Sequence, residues 1–406
     1  MANTHLEGIR VVELGTYIAV PACGRMLADM GASVIKIESL SGDTYRIHGA
    51  NNGIKADEGE NPLFDIYNSG KECIALNLKS PAGKGVMDRL LRNADIFITN
   101  TRRKSLEKLG LDWETLHEKY PQLICGTLSG FGDKGPEAEA PGFDSVAFWA
   151  KTGFLADMTV RAEGSYPVQH PTGVGDAATA SLLLSGLLAA LYDRTKTGVG
   201  QCVSTSLYSA GLWFMGCMVV MAQEKYGLTF PKAQGEGGAF RAQFRGSDGE
   251  WLMVMIIDEG KYAESYFEVL DRQDLLQDER FSTIAARRLH KKELFDIVAP
   301  IFATKTSGEW LEKLRQKDIP CTRVNHFADV AHSEQAWVND YIETEHFPNG
   351  TTGIIPCPPI RFGEETVHTY PADRLGESTE KVLRSLNYSE EEISWLLENG
   401  TAIQHR

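Results

Sequence analysis

The sequence predicts an α/β protein with a doubly wound parallel sheet. Short β-branched runs alternate with amphipathic segments in the first third of the chain. The runs at 9–14 and 33–38 enclose a helical pattern, and a strand, a helix and a strand at this spacing favour a right-handed βαβ unit. No G-x-G-x-x-G fingerprint follows the first run, so a dinucleotide cofactor is not indicated.

Local signals place the elements of this Rossmann-like sheet. Pro21 suits the first turn of the helix that follows the first strand, and Gly31 can terminate that helix after Met30. Helical patterns dominate again from 174 to about 225. Between these regions, three further apolar runs predict strands at 73–78, 95–99 and 123–128, with helices between them.

A change of character after residue 225 predicts a second domain. Two strands joined by a turn at 247–250 are followed by amphipathic helices near 260–270 and 290–303. Capping boxes that begin at Thr306 and Ser389 introduce two more helices. We therefore predict a large α/β domain over 1–225, a small α+β domain over 226–330 and a C-terminal segment over 331–406.

Composition argues against several classes of partner and site. A net charge of −14 argues against nucleic acid or an anionic membrane surface as the main partner. The seven cysteines are scattered without a C-x-x-C pair, which is typical of reduced thiols in a cytoplasmic protein rather than of disulfides or a zinc site. No export signal is visible, and the longest apolar stretches, 182–191 and 211–222, are shorter than the ~20 residues of a membrane span. They predict core helices.

Asp176 follows two glycines, Gly173 and Gly175, and precedes a long apolar helical run. Asp is a preferred N-cap residue, so a structural cap is one interpretation. A carboxylate at a helix N-terminus is also favoured in its ionised form and is held on a rigid element, as a covalent nucleophile requires. This segment alone leaves both interpretations open.

Basic side chains follow two of the predicted strands. Lys79 follows strand 73–78, and Arg102 and Lys108 follow strand 95–99. Ligands of open α/β sheets bind outside the carboxyl ends of the strands, where such side chains suit phosphate groups. A solvated basic face is the alternative.

Several short motifs follow one another along the chain. They are VVEL at 11–14, LADMGA at 27–32, VIKIE at 34–38, LNLK at 76–79, SGFG at 129–132, Gly175 with Asp176, and LGEST at 375–379. Each motif is short, but their order and spacing are specific and run nearly end to end. Taken together they resemble the family III CoA-transferases of CaiB/BaiF type, the group that includes the formyl-CoA and carnitine CoA-transferases.

The resemblance implies a mechanism and a set of site residues. Asp176 would attack an acyl-CoA thioester, forming a mixed anhydride and then an aspartyl-CoA thioester; the glycines before it would make room for the thioester. Neither a metal nor a tightly bound cofactor is implied, and coenzyme A enters as substrate. Gly237 and Gly238 fall at the place of the family's lid loop. Residues at positions that hold CoA are Ile18, Ala19, Leu76, Asn77, Lys79, Asn100, Arg102 and Lys108.

The resemblance also implies an assembly and a substrate class. The family forms interlocked homodimers in which the C-terminal segment returns to the large domain. The chain looks closest to the anaerobic 2-hydroxyacyl transferases, which use acids such as phenyllactate or 2-hydroxyisocaproate. Ile18 stands where formyl-CoA transferases carry glutamine, and this change would tolerate a more apolar acyl group. The aromatic residues that could line an acyl pocket, or else belong to the core, are Phe148, Trp149, Trp213 and Phe214.

Two other functions are alternatives to CoA transfer to a 2-hydroxy acid. The α-methylacyl-CoA racemases share the fold but place a histidine base before an aspartate, where this chain has Phe143 before Asp144. Racemisation needs two opposed bases, and phenylalanine cannot serve as one. The second alternative is a non-catalytic CoA-binding subunit, and the presence of Asp176 argues against it. Asp144 itself is a second site carboxylate or a structural hydrogen-bonding group.

Overall fold

The computed structural model describes residues 4–363 and 366–405, and the chain divides into two compact units. Unit 1 comprises Met1–Leu155, Gln169–Tyr226 and Glu334–Arg406, and unit 2 comprises Ala156–Val168 and Gly227–Ser333. The divisions after Tyr226 and Ser333 lie close to those placed at 225 and 330 from the sequence.

The segment Ala156–Val168 differs from the predicted large domain of 1–225, because it belongs to unit 2. The backbone N–H of Arg161 donates to the carbonyl of Lys232, and its guanidinium pairs with Glu236. These long-range contacts attach the segment to unit 2, and nothing in the local sequence pattern signals them.

The described residues form twelve strands and seventeen α-helices. The strands are β1 Arg10–Leu14, β2 Ser33–Glu38, β3 Lys71–Leu76, β4 Ile96–Thr99, β5 Ile124–Ser129, β6 Cys202–Ser206, β7 Arg241–Arg245, β8 Trp251–Met255, β9 Cys321–Arg323, β10 Ile342–His346, β11 Thr352–Pro356 and β12 Ala402–Ile403. The helices are α1 Ala19–Asp29, α2 His48–Asn51, α3 Pro62–Asn68, α4 Pro81–Arg92, α5 Arg103–Leu109, α6 Trp113–Lys119, α7 Phe154–Asp157, α8 Val174–Thr197, α9 Leu207–Phe214, α10 Gly216–Met221, α11 Glu259–Val269, α12 Ile284–Leu289, α13 Lys291–Phe302, α14 Ser307–Gln316, α15 Glu334–Val338, α16 Thr379–Ser385 and α17 Glu390–Glu398. A π-helical segment covers Asp144–Ala150.

A seven-stranded sheet organises unit 1, in the order β12-β3-β2-β1-β4-β5-β6. All neighbours pair in parallel except β12, which runs antiparallel to β3. Successive β1 residues face opposite cores: Val11 lies in the core with α1 and α8, and Val12 lies in the core with α4, α16 and α17. Helices therefore cover both faces, and the predicted α/β class with a mostly parallel sheet is confirmed.

The predicted strands of this sheet lie within about two residues of the observed ones, as with 73–78 against Lys71–Leu76. The strands β6 and β12 were not predicted. The β6 sequence is short and polar and lies between helical patterns, and β12 has only two residues. Both strands form through pairing with distant partners, β5 and β3, which local propensity does not reveal.

Helix α8 is longer than its apolar run suggested, with 24 residues. It is the one helix of the described residues that is long and apolar enough to cross a membrane by length and composition. One face of α8, including Leu183, Leu184 and Leu187, is buried in the core beside β5. This packing is that of a core helix, as the sequence predicted.

Unit 2 is an α+β unit with a three-stranded antiparallel sheet in the order β7-β8-β9. Its core is rich in aromatic side chains, among them Phe244, Phe267 and Trp310. The predicted hairpin of β7 and β8 is confirmed, and so is the capping box formed by Thr306 and Glu309 at the start of α14. Ser389 and Glu392 form the second predicted capping box, at the start of α17 in unit 1.

Candidate active site

A cavity of about 430 Å³ opens in unit 1 at the carboxyl ends of β1, β4 and β5. Its lining includes Thr16 and Tyr17 after β1, Arg102 after β4, Gly130 after β5, and Asp176 in the first turn of α8. The strand order reverses between β1 and β4, and ligands of doubly wound sheets bind at such a switch point.

Asp176 is the third residue of α8, and Gly173 occupies the N-cap position with a φ of 79° and without a side-chain capping bond. The structural-cap interpretation of Asp176 is therefore wrong. Its carboxylate makes no hydrogen bond or ion pair with any residue of 4–363 and 366–405, and it lines the cavity. A carboxylate in this setting is available to a ligand.

The two glycines before Asp176 accommodate protein side chains. A Cβ at Gly175 would lie 2.1 Å from Oδ1 of Asp144 and 2.5 Å from Cγ of Phe148. A Cβ at Gly173 would lie 2.8 Å from Cδ1 of Ile18. Close packing of the α8 N-terminus on its neighbours thus accounts for both glycines. That they also make room for a thioester stays a prediction.

Asp144 fixes the turn that leads into α8. Its Oδ2 accepts a hydrogen bond from the N–H of Gly173 at 2.9 Å, whereas its Oδ1 is buried without a hydrogen-bond partner. Burial raises the pKa of the Asp144 carboxyl, and the Gly173 N–H and the more distant Trp149 indole N–H offset part of that rise. Asp144 is therefore structural and also lies close enough to influence Asp176.

The pKa of Asp176 is raised to about 7, mainly by burial and further by the negative charge of Asp144. The sequence had suggested that the helix dipole keeps this carboxylate ionised. Removal from water is the larger effect here, because a charged carboxylate loses more solvation than one helix terminus restores.

Three of the eight predicted CoA contacts line the cavity with Asp176: Ala19, Asn100 and Arg102. The Asn100 amide is engaged by the backbone of Thr16, because Nδ2 donates to its carbonyl at 2.9 Å and Oδ1 accepts from its N–H at 3.1 Å. It joins the loops after β1 and β4. The exposed Arg102 guanidinium has no partner within the described ranges, so it is free to meet an anion.

The other predicted contacts do not line this cavity. Ile18 is buried beside Gly173, and Leu76 belongs to the core on the opposite face of the sheet. Asn77 and Lys79 follow β3, which lies two strands from β1, and Lys108 is exposed on α5. Their contact with CoA stays a prediction.

The predicted lid residues Gly237 and Gly238 lie in unit 2, in the turn before β7. Gly238 adopts a φ of 84°, a conformation that glycine reaches without strain. The role of this turn as a lid stays a prediction.

The predicted aromatic acyl pocket does not form at this cavity. Phe148 and Trp149 are buried in the core of unit 1, while Trp213 and Phe214 are exposed on α9. The core alternative is thus correct for the first pair.

The aromatic residues of the cavity are different ones, and the sequence reasoning missed them. Tyr17 and Phe143 line the cavity, and their rings meet edge to face at 5.2 Å between centroids. Tyr17 lies three residues after β1, as Arg102 lies three residues after β4, so the strand-end rule that selected Arg102 could have identified it as well.

Within residues 4–363 and 366–405, no group of three or more His, Cys, Asp or Glu side chains is arranged to hold a metal ion. The polar groups in or beside the cavity are the carboxyl groups of Asp176 and the nearby Asp144, the guanidinium of Arg102 and the hydroxyl of Tyr17.

A family model described as CoA-transferase family III matches residues 6–379. The chain belongs to CoA-transferase family III. Among curated family members, it is 36% identical over 391 residues to the (R)-2-hydroxy-4-methylpentanoate CoA-transferase of Clostridioides difficile, covering 96% of this chain and 97% of that one. It is also 36% identical over 399 residues to the cinnamoyl-CoA:phenyllactate CoA-transferase of Clostridium sporogenes, covering 97% and 96%.

Solved structures of the CoA-transferase III family share the fold. A CAIB/BAIF family protein from Brucella suis superposes with a TM-score of 0.80 at 27% identity, covering 95% of this chain and 100% of that chain. The resemblance inferred from the short motifs is thereby confirmed across the chain. This protein is a CoA-transferase, and CoA thioesters are substrates of such enzymes.

Proposed function

We propose that this CoA-transferase moves CoA from an acyl-CoA to a free 2-hydroxy acid, with Asp176 as the covalent nucleophile. The observation that carries the proposal is the Asp176 carboxylate itself. It is free of hydrogen bonds to the described residues and faces a cavity at the sheet's switch point, with the unpaired Arg102 guanidinium in the same lining. The guanidinium can bind an anionic group of CoA, and the carboxylate can react with the acyl group.

The exchange proceeds in two symmetrical halves. The Asp176 carboxylate attacks the thioester carbonyl, the C–S bond breaks, and CoA leaves as thiolate while a mixed anhydride forms. The thiolate then attacks the aspartyl carbonyl and expels the donor acid as carboxylate, leaving an aspartyl-CoA thioester. The acceptor carboxylate then attacks the aspartyl-CoA thioester, which releases CoA thiolate and forms a second mixed anhydride. The thiolate attacks the acceptor carbonyl of this anhydride, so the new acyl-CoA departs and the Asp176 carboxylate is regenerated. No net proton is consumed.

The raised pKa of Asp176 suits this role. A more basic carboxylate is a stronger nucleophile, provided that it is ionised when the thioester arrives. Burial removes the water shell that would weaken its attack. The Asp144 carboxyl accepts a hydrogen bond from the N–H of Gly173 and so holds the turn before the attacking residue in place.

The names of two relatives support a 2-hydroxy acid as acceptor. Both (R)-2-hydroxy-4-methylpentanoate and phenyllactate carry a hydroxyl beside the carboxylate and an apolar side chain. Phe143, exposed before Asp144, supplies no base for racemisation.

We also propose that the enzyme is a homodimer. Helices α9 and α10 expose several large apolar side chains: Trp213 is 76% exposed, and Phe214 and Val220 are about half exposed. Soluble proteins rarely leave such a surface uncovered, and a second copy of the chain is the common cover. Sedimentation should show a dimer for the wild type and weaker association of the two chains for Trp213→Asp.

Trapping the intermediate tests the mechanism. The enzyme is incubated with an acyl-CoA, treated with borohydride or hydroxylamine, and analysed by peptide mass spectrometry. Modification should map to Asp176 and disappear in Asp176→Asn together with transfer. The matched control is Asp193→Asn, on the same helix but away from the cavity lining, which should retain both. Transfer that survives Asp176→Asn would refute the mechanism.

A further inference from the structure

A cluster of three tyrosines extends from Tyr17, which lines the cavity with Asp176, to Tyr67, whose pKa is raised mainly by burial and in part by the charge of Asp176. The ring of Tyr45 lies 6.2 Å from that of Tyr17 and 6.0 Å from that of Tyr67, measured between centroids. The three side chains come from the loop after β1, from the turn before α2 and from α3. None of their hydroxyl groups hydrogen-bonds to any residue within 4–363 and 366–405.

Tyr67 is the member whose hydroxyl is closest to the turn that carries the nucleophile. Its oxygen lies 3.4 Å from the position that a Cβ would take at Gly173, the N-cap residue of α8. The negative charges of Asp176 and Asp144 help to raise the pKa of Tyr67, after burial as the main cause. At neutral pH the phenol is therefore protonated and can donate a hydrogen bond next to the reacting centre.

The buried carboxylate of Asp43 fixes the backbone of two members of the cluster. Oδ1 of Asp43 accepts from the backbone N–H groups of Tyr17 and Tyr45, at 3.2 and 3.0 Å. Oδ2 of Asp43 pairs with Nζ of Lys36 at 3.0 Å, and Lys36 also pairs with Glu13 at 3.0 Å; all three charged side chains are fully buried. Side chains that form a rigid wall are suited to selecting a ligand.

The hydroxyl groups of this wall are open to a polar ligand. Tyr45 is only 3% exposed as a residue, but its hydroxyl has no partner among the described residues and is not one of the buried unpartnered polar atoms. The phenol therefore keeps access to solvent and can hydrogen-bond to a bound group or to water. The rings supply apolar surface for the rest of that ligand.

We infer that Tyr17, Tyr45 and Tyr67 form the subsite for the acyl substituent, and that the Tyr67 hydroxyl recognises the 2-hydroxyl of the acceptor acid. This inference rests on the proposed function, because it needs the acyl group to be attached at Asp176. A site built to hydrogen-bond a substrate hydroxyl discriminates strongly against the analogue that lacks it. Tyr67 is thus a specificity-determining residue.

Half-reactions isolate the contribution of Tyr67. Formation of aspartyl-CoA is measured with cinnamoyl-CoA, whose acyl group has no 2-hydroxyl. Transfer of that CoA is then measured with phenyllactate and with 3-phenylpropionate, which differ only in the hydroxyl. In Tyr67→Phe, we expect kcat/KM for phenyllactate to fall by about 10- to 100-fold, while the rates with the other two compounds stay within about twofold.

The control is Tyr192→Phe, which removes an exposed phenol from the far half of α8, about 24 Å along the helix from Asp176, and should leave all three rates unchanged. Equal losses with phenyllactate and 3-phenylpropionate, or an equal loss with cinnamoyl-CoA, would overturn the inference, since Tyr67 would then support the fold or the reaction in general. Failure of the wild type to form aspartyl-CoA at all would instead refute the proposed function.

Discussion

The carboxylate of Asp144 accepts a hydrogen bond from the backbone N–H of Gly173 at 2.9 Å. This bond joins the π-helical segment Asp144–Ala150 to the first turn of α8, where Asp176 lies. One carboxylate therefore fixes the position of the other and adds a negative charge beside it. Asp144 thus contributes both to the position of the proposed nucleophile and to its raised pKa, of which burial is the main cause.

The first prediction concerns pH. Asp176 must be ionised to attack, and its pKa of about 7 lies above the ordinary value of 3.8. We expect kcat/KM for the acyl-CoA to be low in acid and to rise to a plateau above about pH 7, because this parameter reports ionisation of the free enzyme. Initial rates between about pH 5 and pH 9 measure it.

The Asp144→Asn variant tests the cause of this shift. It removes the negative charge but can keep an oxygen for the Gly173 N–H, so the acid limb should move to lower pH without vanishing. An acid limb near pH 4 in the wild type, or one that moves upward in Asp144→Asn, would contradict the prediction.

The second prediction concerns the packing of the α8 N-terminus. In Gly175→Ala, the new methyl group would meet Asp144 at 2.1 Å and Phe148 at 2.5 Å. We expect a loss of stability of about 1–3 kcal/mol from overpacking, and a larger loss of kcat because Asp176 is displaced. Gly85→Ala on α4, which meets nothing within 4 Å, should be neutral or slightly stabilising. Equal behaviour of the two variants in urea unfolding would contradict this account.

Much of the sheet and part of the site follow from local sequence signals. The alternation of strands and helices predicts the parallel sheet, and the strand-end rule selects Arg102. The environment of Asp176 depends on Asp144, and the tyrosine cluster combines three segments that are distant in sequence. Only tertiary packing brings such groups together. For that reason the sequence suggested Asp176 as an ionised N-cap, whereas in the structure Gly173 is the N-cap and the Asp176 carboxyl is desolvated.

The third prediction assigns a phosphate contact to Arg102. Its guanidinium is exposed in the cavity and unpaired within the described ranges, whereas the neighbouring Arg103 pairs with Glu107 and Glu114. We expect Arg102→Gln to raise KM for the acyl-CoA by about tenfold or more with a small effect on kcat, because a charge-assisted contact contributes mainly to binding. Steady-state kinetics measure this.

A truncated donor makes the test specific. With an acyl-pantetheine, which lacks the nucleotide phosphates, wild type and Arg102→Gln should have equal kcat/KM. Arg92→Gln, an exposed substitution on α4, is the control for a general change of charge. A defect of Arg102→Gln that persists with the truncated donor would exclude the phosphate contact.

The fourth prediction concerns Glu345 on β10, which is 2% exposed and whose two carboxylate oxygens both lack hydrogen-bond partners. Burial raises its pKa to about 7, and the nearby carboxyl groups of Asp65 and Glu343 add to the rise. A carboxyl whose pKa is higher in the folded state destabilises the fold as it ionises, so its cost appears between its unfolded value of about 4.5 and about 7 and is complete above that.

We therefore expect Glu345→Gln to raise the free energy of unfolding by on the order of 1 kcal/mol at about pH 8 and to change it little at about pH 4.5. Urea unfolding at one fixed protein concentration measures this, because a dimer would make apparent stability depend on concentration. Glu118→Gln, on the exposed side of α6, should have no effect at either pH. A lower stability of Glu345→Gln at the higher pH would show that a partner, such as a second chain, satisfies this carboxylate.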